Sequence, residues 1–171
     1  MTDQDVTDSE RAARDRIDAI ARSYISTPFH DHGEVKGAGV DCATFLKCTF
    51  QEAGMVEPFQ LDHYSPQFFL HGKEERYIGW ILKVGGREIP QDEARTGDIV
   101  LYKIGLCFAH GALIIEPGWP SIIHAHFASK CVRRDNGLRP RLGTEILDMK
   151  FFSLFAPRRP QGDGLRQSDQ V

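Results

Sequence analysis

Apolar residues recur at helical spacing near the start of the chain. Ala13, Ile17, Ile20, Ala21 and Tyr24 fall on one face of a helix. Thr7, with Glu10 three residues on, has the form of a capping box that starts it. Thr27-Pro28 predicts its end. A polar, glycine-containing loop then runs from Phe29 to Gly39. Asp41 stands where a capping residue belongs, ahead of a second helix that carries Ala43, Phe45, Leu46, Thr49 and Phe50 inward and stops near Gly54. Met55 to Ser65 reads as loop. A third helix is predicted over Lys73 to Val84, with Tyr77, Ile78, Trp80 and Ile81 as its buried side and Gly85-Gly86 at its end.

Beyond that point the period changes from helical to extended. Strands are predicted over Asp98 to Lys103, Ala109 to Ile115, Ser121 to Phe127 and Phe151 to Phe155, with Glu116-Pro117-Gly118 as a turn. Helices first and strands afterwards predict an α+β domain, with N-terminal helices packed on an antiparallel sheet. The pattern shows no repeat and no second composition regime. It predicts a single domain over 1–171, its core about 9–156, with 157–171 as a flexible tail.

Composition narrows the function. The chain has 171 residues and a formal net charge of -3, with 21 Lys and Arg against 24 Asp and Glu. A nucleic-acid binder working by phosphate neutralisation needs a basic excess, and there is none. No apolar run approaches the roughly 20 residues of a membrane span, so membrane insertion is not expected. The first residues, MTDQDVTDSERAARDRID, lack the apolar stretch of a secretory signal. That predicts cytoplasmic synthesis and reduced thiols at Cys42, Cys48, Cys107 and Cys131. No pair has C-x-x-C spacing, which leaves a zinc-ribbon or thioredoxin-like reading without support.

The cysteines are unequal. Cys42 follows Gly37-Ala-Gly-Val-Asp41 and sits at the first turn of a predicted helix, where free amides and the helix dipole lower a thiol pKa. The plainer reading is a buried small hydrophobe. Cys48 points elsewhere around the helix, and Cys107 and Cys131 lie near strand ends. A thiolate nucleophile needs a base. His110 lies early in one strand, and His124 and His126 share a face of the next. If the strands are hairpin neighbours, His110 and His124 sit side by side, one imidazole facing the sulfur and the second orienting the first. His126, His63 and His71 read as ordinary sheet or surface histidines.

Four short motifs then fall in register. Gly39-Val-Asp-Cys42-Ala-Thr-Phe45, Gly97-Asp98-Ile-Val-Leu, His110-Gly-Ala-Leu-Ile-Ile and Ile123-His124-Ala125 resemble the NlpC-type cysteine peptidases, bacterial cell-wall endopeptidases with a papain-like core. The resemblance runs from about Ala21 to Phe155. It is closest to the branch of tailed phages, prophages and gene transfer agents, through Thr27-Pro-Phe-His30, Val35-Lys-Gly-Ala-Gly-Val-Asp-Cys42, Tyr64-Ser-Pro and His71-Gly-Lys-Glu-Glu-Arg-Tyr77. It implies Cys42 as nucleophile, His110 as general base and His124 as the orienting third residue. It implies an oxyanion hole that includes the Cys42 amide, and a substrate pocket shaped by Asp41 and flanked by Phe29, His30 and Ala43. The implied substrate is the peptidoglycan stem peptide, cut at the D-γ-glutamyl-diamino acid bond through a thioester. No cofactor or metal is implied. Phage tail proteins are the implied partners, and the implied place of action is the cell wall, reached with a virion.

Two positions depart from the family. Phe29 stands where a tyrosine often assists the oxyanion, leaving His30 or His32 as substitutes, and Ala43-Thr44 replaces Ser-Gly. Three other readings stay open. One is a CHAP-like amidase with Glu116 as third residue. Another is a metal site built from His30, Asp31, His32 and Cys42. The last is a tail-assembly module that keeps the fold without turnover.

Overall fold

Helix α1 (Asp3–Ser23) opens the computed structural model, which describes residues 3–65, 68–140 and 148–156. The tail predicted over 157–171 and Pro66 of the Tyr64-Ser-Pro motif lie outside these residues. Helix α1 begins before Thr7, so the Thr7–Glu10 box is not its start. Glu10 instead accepts from Arg14 Nε at 2.8 Å, one turn on. Such i,i+4 pairs carry the same sequence signature inside a helix. Ile17, Ala21 and Tyr24 are buried, with Ala13 and Ile20 packed against them.

A two-stranded hairpin, β1 (Glu34–Val35) and β2 (Gly39–Val40), leads into α2 (Cys42–Glu52). Gly54 closes that helix at a φ of +70°, a conformation open to glycine at little cost. A short α3 (Phe68–His71) precedes α4 (Arg76–Lys83). Helix α4 starts three residues later than predicted. Glu75 stands at its cap position, and its carboxylate instead accepts the Phe108 N–H at 2.9 Å.

Six strands follow: β3 (Arg87–Ile89), β4 (Ile99–Ile104), β5 (Cys107–Ile114), β6 (Ser121–His126), β7 (Cys131–Asn136) and β8 (Met149–Ser153). They form one antiparallel sheet in the order β3-β8-β4-β5-β6-β7. The four predicted strands are β4, β5, β6 and β8, the last shifted by two residues. The sheet edges β3 and β7 were not predicted. β3 is three residues long, and β7 buries only Val132 fully, so neither carries an apolar period of two.

The central strands are apolar on both faces. Ile99, Leu101, Leu113, Ile123 and Phe152 pack in one cluster with Phe45, Leu46, Trp80 and Ile81 of the helices. Val100, Tyr102, Ala112, Ile114, Ile122 and Phe151 form the other, with Trp119 laid over it. That double burial explains why Ile-Val-Leu-Tyr reads as a continuous apolar run. The Gly97-Asp98 motif ties α1 to the sheet. Asp98 Oδ1 lies 3.1 Å from Arg14 Nη1 and accepts Ser153 Oγ at 2.7 Å, while Oδ2 accepts the Arg95 N–H at 2.9 Å. The fold is α+β, with N-terminal helices on an antiparallel sheet. Among the described residues no helix is long and apolar enough to cross a membrane.

At Gly111 side chains of α2 and α4 close directly on the sheet. A Cβ there would stand 2.8 Å from Leu46 Cδ1 and 2.9 Å from Tyr77 Cε1. Gly111→Ala is expected to destabilise the fold by roughly 1–3 kcal/mol through overpacking, measured as a lower denaturant midpoint at unchanged slope.

Candidate active site

Cys42 is the first residue of α2, and Asp41 holds it there. Asp41 Oδ1 accepts the N–H groups of Ala43 and Thr44, both at 2.9 Å. Thr44 Oγ1 reciprocates by accepting the Asp41 N–H at 2.8 Å, completing a capping box with threonine in the place usual for Glu or Gln. Asp41 Oδ2 accepts the His32 N–H at 2.9 Å and the Tyr64 hydroxyl. A carboxylate offers about four lone-pair sites. Those of Asp41 are taken, so this residue shapes the pocket through Tyr64 and carries no spare acceptor for a ligand.

Cys42 and His110 line one cavity of about 690 Å³. Phe29, Asp41 and Ala43 line it too, and Tyr64, Tyr77, Trp80 and Phe127 supply aromatic wall. Phe29 meets Phe127 edge to face, ring centroids 5.4 Å apart. His30 is not among the lining residues. Its exposed side chain packs over Gly39, with Nδ1 3.0 Å from the Asp31 carbonyl.

The thiol departs from expectation. The free amides and dipole at the helix N-terminus were expected to lower its pKa and give an activated thiolate. Instead burial, followed by the Asp41 charge, pushes the Cys42 pKa up to about 12. The Tyr77 hydroxyl and the backbone amides of Gly111 and Cys42 pull the other way and do not win. The magnitudes explain the sign: a helix terminus contributes about 0.3–1 kcal/mol, while desolvation moves a buried group by up to 3–5 pKa units. Cys42 rests as a thiol.

His110 and His124 do meet: His110 Nε2 lies 2.8 Å from His124 Nδ1. The pairing is diagonal. Strands β5 and β6 are in register at Leu113↔Ile123 and Ile114↔Ile122, which when extended sets His110 opposite His126. Diagonal neighbours lie within reach of long or aromatic side chains. Burial and the neighbouring His124 and His126 hold the His110 pKa well below its usual value. Burial, His126 and Arg133 bring that of His124 down to about 3. Both rings rest neutral, and His110 Nδ1 is left as the ring nitrogen His124 does not engage.

Two residues of the site were not picked out as functional from the sequence. His126 read as an ordinary sheet histidine, yet it lines the cavity, is buried, and stacks on His124 with centroids 5.0 Å apart. Its Nδ1 accepts the Ser129 N–H at 3.1 Å. Tyr77 read as helix core, yet its buried hydroxyl faces the Cys42 sulfur and stays protonated, because burial and Cys42 raise its pKa. The spacing Tyr77–Ile81 marks a buried face and does not reveal where a hydroxyl on that face points.

The other sequence candidates are dispersed. Glu116 lines a separate groove with Arg11 and Arg95 and accepts Thr96 Oγ1 at 2.9 Å, so it does not orient His110. His32 packs on Tyr64 and His63. Among the described residues no three His, Cys, Asp or Glu side chains converge as metal ligands. All four cysteines are free: Cys107 is buried, Cys48 and Cys131 half-buried.

No family model matches the sequence, and no curated protein matches it. Solved structures do match the fold. The NlpC/p60 domain of the peptidoglycan hydrolase SagA aligns over 80% of this chain and 96% of its own, with a TM-score of 0.54 and 18% identity. The peptidoglycan hydrolase RipB of Mycobacterium tuberculosis aligns over 92% and 70%, with a TM-score of 0.58 and 16% identity. An NlpC/p60 family protein from Bacillus cereus aligns over 75% of this chain and 36% of its own, at a TM-score of 0.53 and 20% identity. The chain has the NlpC/p60-type fold.

A resting thiol has a measurable signature. The rate at which iodoacetamide labels Cys42, resolved by peptide mass spectrometry, is expected to rise about tenfold per pH unit between pH 7 and 9. A rate flat across that range would show a preformed thiolate. Tyr77→Phe is expected to slow labelling further, by roughly tenfold, through loss of one donor to the thiolate.

Proposed function

We propose that this chain is a cysteine peptidase of the peptidoglycan stem peptide. The observation that carries the reading is the His110–His124 hydrogen bond, made beside a cavity that a cysteine at a helix N-terminus also lines. Cys42 is the nucleophile, His110 the base and His124 the orienting residue. Resemblance of fold to peptidoglycan hydrolases supports the substrate class, and the four sequence motifs support the D-γ-glutamyl-diamino acid bond.

The chemistry follows from the protonation states. As a substrate carbonyl approaches the sulfur, the thiol proton passes to His110 Nδ1 and the sulfur adds to the carbon. The proton moves during attack, because the thiol is not ionised beforehand. With the Ala43 and Thr44 amides held by Asp41, the Cys42 backbone amide and the Tyr77 hydroxyl are the donors at hand for the oxyanion. His110 then gives its proton to the leaving nitrogen as the C–N bond breaks, leaving a thioester on Cys42. Water, deprotonated by His110, attacks the thioester and restores the thiol. The aromatic walls exclude solvent around the reacting bond.

The phage-type motifs around Thr27-Pro-Phe-His30 and His71-Gly-Lys-Glu-Glu-Arg-Tyr77 support local opening of the wall by a phage-like particle as the setting. One observation favours a second reading, a tail module that keeps the fold without turnover: the half-buried thiol, held un-ionised by desolvation. Both are tested by digesting purified peptidoglycan with wild type and Cys42→Ser and identifying the fragments by mass spectrometry. Wild type is expected to release stem fragments cut between D-glutamate and the diamino acid, and Cys42→Ser to lose at least about 10³-fold in rate. Cleavage between sugar and peptide would make the protein an amidase, and no cleavage by wild type would leave the module.

A further inference from the structure

On the side of His124 opposite its bond to His110, two buried polar atoms stand without a hydrogen-bond partner. They are His124 Nε2 and Asp135 Oδ2, 3.7 Å apart. His124 is fully buried, and the Asp135 side chain is 10% exposed. Asp135 lies on β7 opposite Ile122, which makes it the diagonal neighbour of His124 across the β6–β7 pair. Its other oxygen accepts the Asn136 N–H at 2.9 Å, and Arg133 Nε lies 3.6 Å from Oδ2. A closure of about 0.8 Å brings nitrogen and oxygen to ordinary hydrogen-bond distance.

We propose that Asp135 is a positioning residue that sets the tautomers of His124 and His110, so that a carboxylate–imidazole–imidazole chain ends on the nitrogen that accepts the thiol proton. This rests on the reading of Cys42 as nucleophile and His110 as base. One proton lies between His110 Nε2 and His124 Nδ1, and two arrangements are available to neutral rings. In the first, His110 donates; His124 then carries its hydrogen on Nε2, pointing at Asp135, and His110 Nδ1 has a free lone pair. In the second, His124 donates; its bare Nε2 then faces the carboxylate, and His110 carries hydrogen on Nδ1. An ionised carboxylate accepts only. The second arrangement sets lone pair against lone pair in a buried site, where an unmade hydrogen bond costs most. It also blocks catalysis, because a protonated Nδ1 takes no proton from sulfur. Asp135 selects the first. The depressed pKa values of both histidines fit the use of neutral rings throughout.

The tautomers are readable without substrate, by long-range ¹H–¹⁵N correlation spectra of the full chain near pH 7. In wild type, His110 and His124 are expected to show bare Nδ1 and protonated Nε2. In Asp135→Ala a population with hydrogen on His124 Nδ1 should appear. Asp135→Asn keeps the shape if alanine does not fold, and it offers Nε2 a donor as well as an acceptor, so it should also mix the tautomers. In either variant kcat on stem peptide should fall by at least roughly 10-fold with KM unchanged, the lower end of what carboxylates that orient metal-binding histidines carry. Both histidines keeping protonated Nε2 in the folded variants would overturn the assignment, as would a wild-type His124 with hydrogen on Nδ1. A wild type that shows the expected tautomers but leaves peptidoglycan intact refutes the peptidase reading and leaves only the tautomer assignment to Asp135 standing.

Discussion

The Asp41 carboxylate is the constraint on which the site depends. It closes the open end of α2 through Ala43 and Thr44, fastens the preceding loop through the His32 amide, and draws in Tyr64 from the segment after the helix. Three parts of the chain distant in sequence thus meet at one side chain, and Cys42 is the next residue. His32 adopts a φ of +56° to make its bond, a conformation uncommon for residues with a side chain. The loop is bent to the cap, and the sulfur is placed by the cap and not by packing alone.

Around that anchor, burial decides protonation. A thiol, two imidazoles and a tyrosine hydroxyl are gathered where water is scarce, and each is shifted toward its neutral form. A site of this kind stores no charge while idle. In the proposed mechanism, attraction between thiolate and imidazolium arises only when a proton moves, inside a medium that makes such attraction strong. That places a demand on geometry, since a neutral pair has no field to correct a misaligned ring. The ring-to-ring hydrogen bond, the stacking of His126 and the Tyr102 ring 6.0 Å from His110 meet that demand by holding the imidazoles from several sides.

The features legible in the sequence were those set by near neighbours. Asp41 as a helix cap and Gly54 as a helix stop depend on a few adjacent residues, and both are found. The His110 and His124 pair was legible from the period of a strand, although the register that makes it diagonal was not. What escaped depends on distance or on polar edges. Strand β7 is polar apart from Val132 and carries little apolar signal, so Asp135 was not picked out. The direction of the Tyr77 hydroxyl and the burial of His126 follow from how α4 and the sheet close on one another. The protonation state of Cys42 was misjudged for the same reason: a helix terminus is visible in sequence, and the apolar matter packed around it is not.

A thiol that stays protonated also ages slowly. Oxidants such as peroxide react with the thiolate, and the path from sulfenic to irreversible sulfinic and sulfonic acids begins there. With its pKa raised to about 12, Cys42 presents almost no thiolate at neutral pH. The desolvation that denies this site a ready-made charge therefore also slows attack by oxidants on the sulfur. If Cys42 is the nucleophile proposed above, its sulfur stays intact until a substrate enters the cavity.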